Sequence, residues 1–144
     1  TFQRGCFDLC DCAIGPLLPL RGSFALVPLR RDPLFTLYSV VLVDWKVGAN
    51  PNATSASELP IQGFGEYRLG GEFAIQQQMA ALLRVGTESA ALYDSGLVAG
   101  GGSFPVLDIT LVNGANQCVR TELDLHAKPM KARSLAPPPP GSPF

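Results

Sequence analysis

The cysteines are the residues of this chain best equipped for chemistry. Three crowd into Cys6-x3-Cys10-x-Cys12, and the fourth, Cys118, lies far along the sequence. An even number of cysteines in a short chain suits an oxidising compartment and points to disulfides. A Cys10–Cys12 bridge would close too small a ring to be unstrained. Two pairings remain: Cys6–Cys10 with Cys12–Cys118, or Cys6–Cys12 with Cys10–Cys118. Either one ties the N-terminal loop to the start of the last predicted strand. Closing a loop of more than about 100 residues is worth roughly 4–5 kcal/mol in the chain-entropy model. A zinc site built from the same thiolates and His126 is the sharper alternative. Structural zinc takes a cysteine pair from each half of its site, however, and the second half here offers one. No metal is therefore expected, and without a C-x-x-C-H run covalent haem is excluded as well. No cofactor is implied.

The remaining reactive groups read as structural. Tyr93-Asp94-Ser95-Gly96 resembles the apolar-Asp-Ser-Gly signature of aspartic proteases, in which two carboxylates share a proton across a cleft. The match covers about six residues, and too little chain follows Asp94 to complete such a lobe, so a strand-ending turn is expected. Gly100-Gly101-Gly102-Ser103 lacks a lysine and leads into a strand, which excludes a phosphate cradle. His126 is the only histidine and sits among Glu122 and Asp124 with no nucleophile nearby. No catalytic residue is expected, and the chain reads as a non-enzyme.

The elements that would carry these residues are strands. Along Leu34–Trp45, Phe35, Leu37, Ser39, Val41, Val43 and Trp45 fall on one face, the period-2 pattern of a sheet. Further strands are predicted at Leu20–Leu29, Ile61–Leu69, Ala90–Leu97, Phe104–Val112 and Gln117–Ala127. Glycines at 63 and 65 suggest a bulge or close packing. Glu72–Val85 has helical composition, yet it alternates cleanly between Gly70-Gly71 and Gly86, and a long strand is predicted. Asn113-Gly114-Ala115-Asn116 supplies the positive φ a hairpin needs. The expected fold is all-β: an antiparallel sandwich or open barrel of about seven strands, with a disulfide-tethered N-terminal loop. Three regions follow: a cysteine-rich arm at 1–19, a β domain at 20–128, and a Pro-rich tail at 129–144.

Composition narrows the partners. Among 144 residues only 16% are charged while 47% are apolar, and the net charge is −1. Nothing there neutralises a phosphate backbone, so nucleic acid is excluded as a partner. The low charge favours self-association. No apolar run reaches the roughly 18–20 residues of a membrane-spanning helix, and Thr1–Gly5 has no signal-peptide core. An exported chain would therefore begin at Thr1 as its mature residue. Asn52-Ala53-Thr54 is a glycosylation triplet in a Pro/Asn/Ser-rich loop, where such triplets arise by chance. The tail bearing Pro137, Pro138, Pro139, Pro140 and Phe144 has few ladder donors, and is expected to pack on its own domain or on a neighbouring copy.

The run Cys6-Phe7-Asp8-x-Cys10-x-Cys12, with Leu20-Arg21-Gly22-Ser23-Phe24, Tyr67-Arg68-Leu69-Gly70-Gly71-Glu72 and Tyr93-Asp94-Ser95-Gly96-Leu97, is similar to a group of secreted bacterial β-rich proteins of no known function. The resemblance spans most of residues 6–127 and implies export and a cysteine-tethered β domain. The functional expectation is a secreted or cell-surface structural protein. It would be a self-associating subunit of a fibre or surface assembly whose tail contacts the next copy. The alternative is an extracellular module binding carbohydrate, such as a surface glycan, or another ligand through loops 46–60 and 96–104.

Overall fold

A computed structural model describes residues 1–6, 13–48, 58–100, 103–115 and 117–130. Nine strands appear in chain order: β1 (Phe2–Cys6), β2 (Leu20–Arg31), β3 (Phe35–Val47), β4 (Leu59–Gly70), β5 (Gln76–Val85), β6 (Ala91–Asp94), β7 (Val98–Ala99), β8 (Leu107–Asn113) and β9 (Val119–Ala127). The described residues contain no helix. All strand pairings are antiparallel and belong to one sheet, in the order β1-β9-β8-β6-β5-β4-β3-β2, with β7 beside β5. The sheet curls into a half-barrel. Of the two architectures expected from the sequence, a sandwich would need two separate sheets. One hydrogen-bonded sheet takes in every strand instead, with short hairpins joining β2 to β3, β4 to β5, β5 to β6 and β8 to β9.

The periodicity explains the curl. On β3 and β5, Val43, Trp45 and Val47 and then Met79, Ala81, Leu83 and Val85 point inward and are buried, while Asp44, Lys46 and Arg84 point out. The long alternating run is thus a strand from Gln76, despite its helix-forming composition. Burial of one face outweighs propensity. The glycines of β4 mark both close packing and a bulge. A Cβ at Gly63 would lie 2.1 Å from the Leu82 carbonyl oxygen. Opposite, the register of β3 slips between Val40 and Val43, which leaves Leu42 with a positive φ of 54°. The β8–β9 hairpin forms where Asn113-Gly114 called for it, with Gly114 at φ 82°.

The cysteine-rich arm carries a strand that alternation did not reveal. β1 pairs with β9 from Phe2↔Leu123 to Cys6↔Val119, and both of its ends, Phe2 and Cys6, are buried. Its other edge meets the following segment through Phe2↔Leu18 and Gly5↔Ile14 bridges. The chain then passes Pro19, whose carbonyl accepts from the Gly48 amide at 2.8 Å, and enters β2, which pairs with β3. One rim of the half-barrel is therefore closed around Phe2, Leu18 and Leu20. Beyond that rim β2 and β9 run on in the same direction with no ladder between them.

Candidate binding cleft

The gap between β2 and β9 opens into the hollow of the half-barrel as a cavity of about 690 Å³. Its sides are Leu20, Phe24 and Leu26 from β2 and Leu125 and Ala127 from β9. Tyr38, Trp45 and Leu107 line its depth, and Phe104 and Met130 its mouth. These side chains are there because the inward positions of β2, β3 and β9 are apolar. They stay partly uncovered because β2 is an edge strand and β1 covers β9 only as far as Thr1, whose ammonium donates to the Asp124 carbonyl at 2.7 Å. Aromatic rings stand at two levels. Phe24 meets Trp45 edge-on with centroids 5.9 Å apart. Phe104 tilts over Tyr38 at 5.2 Å and stacks along Tyr67 at 6.3 Å. Such edge-to-face and offset contacts are the favoured arrangements of aromatic quadrupoles.

One polar station lies beneath the aromatic floor. The buried Tyr67 hydroxyl donates to Gln77 Oε1 at 2.8 Å, and Gln77 Nε2 donates to the Asp108 carbonyl at 2.7 Å. Gln77 thereby bridges β5 to β8 where β6 is too short to pair with both along its length. Burial pushes the Tyr67 hydroxyl up to about 12, so it remains a neutral donor. The edge of β2 has features that discourage strand addition from outside: Pro28, Arg30 and Arg31, with register slips at Ser23/Ala25 and Pro28/Arg30. The cleft thus combines an apolar interior with a guarded backbone edge.

The residues singled out from the sequence do not converge on this cleft. Cys6 is buried at the end of β1, and Cys118 is exposed just before β9; neither is a free thiol. Cys10, Cys12 and the tail residues Pro137, Pro138, Pro139, Pro140 and Phe144 lie outside the described residues, as do Asn52 and most of the 46–60 loop. The Asp94 carboxylate accepts from the Gly96 amide at 2.7 Å and from Gln78 Nε2 at 3.0 Å, a turn-stabilising arrangement. His126 points outward on β9 and pairs through Nδ1 with Asp108 on β8. Tyr93, which precedes the Asp94-Ser95-Gly96 turn, is buried, and burial raises its hydroxyl pKa. Trp45 is both core and cleft. Among the described residues no cluster of His, Cys, Asp or Glu could hold a metal ion, and no helix is long and apolar enough to cross a membrane. Phe24, Phe104 and Met130 were not legible as site residues. Their signal, an apolar side chain on an edge strand or turn, becomes visible only once the sheet curls.

No protein-family model matches the chain, and no curated protein or solved structure matches it.

Proposed function

We propose that this protein is a non-enzymatic binding module that takes an apolar small molecule, of acyl-chain or aromatic character, into the half-barrel cleft. The observation that carries the reading is the solvent-open cavity of about 690 Å³ walled by Leu20, Phe24, Leu26, Tyr38, Trp45 and Leu125. Ligand pockets fall in the range of roughly 300–1,000 Å³ and are mainly hydrophobic with few polar groups. Up-and-down antiparallel barrels use such an interior for one small ligand. Export and a disulfide clasp between the arm and the end of the sheet belong to the same reading. It is supported by the lack of free thiols at Cys6 and Cys118, which lie near each other in the β1–β9 register.

Trp45 is the only tryptophan and its ring borders the cavity, which makes it a direct reporter. Anilinonaphthalene sulfonate bound in the cleft should quench Trp45 emission by energy transfer, and dodecanoate should displace the dye. Leu26→Lys, on the open edge strand, should abolish both effects without lowering the melting temperature by more than a few degrees. Trp45 emission unmoved by either compound at millimolar concentration would sink the proposal.

A further inference from the structure

The outer face of the half-barrel carries an apolar row that the cleft does not use. Phe64 on β4 pairs directly with Leu82 on β5, and Leu82 pairs with Leu92 on β6. On the other side of Phe64, the bulge of β3 sets Leu42 at the same level. All four side chains face solvent, at 78% exposure for Leu42, 62% for Phe64, 40% for Leu82 and 55% for Leu92. Side chains directly opposite one another on adjacent strands stand about 5 Å apart, so the row is continuous across four strands. Scattered exposed apolar residues need no explanation, but a contiguous rimmed patch marks an interaction site. Leu42 adds to the case. A non-glycine residue in the left-handed region is unfavourable, and here that conformation holds a leucine in water.

Rows that carry charged side chains flank the apolar one on both sides. Toward one end of the strands lie Asp44, Gln62 and Arg84, paired across β3, β4 and β5. Toward the other end lie Glu66, Ala80 and Asp94, paired across β4, β5 and β6. We propose that this row is the contact surface for a second copy of the same chain, packed face to face about a two-fold axis that runs along the row. That operation lays each apolar side chain on its own counterpart and exchanges the flanks. Arg84 of each copy then stands over Ala80 of the other, between its Glu66 and Asp94, and Gln62 faces Glu66. The alternative axis, parallel to the strands, would set the flank that carries Glu66 and Asp94 against the same flank of the other copy. A contact of this kind is isologous and closes at two subunits. Two convex sheets meet along a stripe, which buries less than the roughly 1,200 Å² of a stable interface, so the dimer is weak.

Sedimentation equilibrium of the full chain tests this. The expected result is a reversible monomer–dimer equilibrium with a dissociation constant of about 10–100 µM. Phe64→Glu should raise that constant at least about tenfold. Arg84→Glu should raise it severalfold, and Arg84→Glu combined with Glu66→Arg should recover most of the loss. Leu42→Asn separates association from folding, because asparagine accepts the left-handed backbone more readily than leucine. It should loosen the dimer while the melting temperature holds or rises. Overturning results are a monomer at millimolar concentration, association unaffected by Phe64→Glu or Leu42→Asn, or growth of open-ended polymers. Binding of the wild-type chain to phosphatidylcholine vesicles that Phe64→Glu removes would assign the row to lipid instead and would equally overturn it.

Discussion

On one side of the half-barrel, Met79 and Leu83 of β5 pack with Leu111 of β8 and Leu123 of β9, and none of the four reaches solvent. On the other, β2 presents Phe24 and Leu26, each half-buried, to an open cleft. Both walls obey the same two-residue alternation. The difference is in neighbours: β5 and β9 have a strand on either side along most of their length, and β8 has β9 and the end of β6, while β2 has only β3. The same apolar side chain is therefore a stability element on one wall and part of an open cavity lining on the other. The comparison teaches that inward periodicity alone does not identify the core of an incompletely closed sheet; the pairing of both strand edges does.

Substitutions should separate the walls. The largest loss is expected from Leu111→Ala on the packed wall, where a fully buried leucine leaves a cavity; about 3–5 kcal/mol of unfolding free energy should disappear in a denaturant titration. Reduction with dithiothreitol comes next. If the clasp joins the arm to the β9 end, it should remove about 2–4 kcal/mol, and a melting temperature unchanged by reduction would argue against the clasp. Gln77→Ala should cost about 1–3 kcal/mol, because it strands the Tyr67 hydroxyl and the Asp108 carbonyl without partners. Tyr67 also sets a pH dependence. Its folded value, about 12, lies above the ordinary 10. Its contribution is therefore fully present below pH 10 and is lost as pH rises through 12, which ultraviolet tyrosinate absorbance alongside a stability profile would follow. The smallest stability change, under about 1 kcal/mol, is expected from Leu26→Ala on the open wall. There the loss should show as weaker dye binding. If Leu26→Ala destabilised the fold as much as Leu111→Ala, the two walls would not differ in the way described.

How far the sequence speaks for the fold depends on the kind of signal. Strands β4, β5 and β9 were legible because each alternates over seven or more residues, β2, β3 and β8 because their apolar residues recur at shorter range, and the Asn113-Gly114 turn fixed the last hairpin. β1 was not. Its five residues include Gly5 and Arg4, and its strand character comes from pairing with β9, more than a hundred positions away. The single sheet was also illegible, since a sandwich and a half-barrel share one alternation and differ in which edges meet. The cleft could be read only in fragments. Trp45 belongs to the core and Tyr38 packs against it; that they border a cavity follows from the absence of a neighbour beside β2, which no local pattern encodes. Gln77 stands out in no local pattern, yet its side chain bridges β5 to β8 inside the barrel.

The closed rim at Phe2, Leu18 and Leu20 has a mechanical consequence. It fastens β2 and β9 at one end only, so the cleft behaves as a pair of tweezers with its pivot at that rim. Spreading the jaws near Met130 breaks no backbone hydrogen bond, whereas spreading them near Leu20 tears the Phe2–Leu18 pairing. The stiffness therefore rises steadily toward the pivot. Under the proposed binding, guests of differing girth would be accommodated at the tips, and the narrow end would set the limit on what slides in.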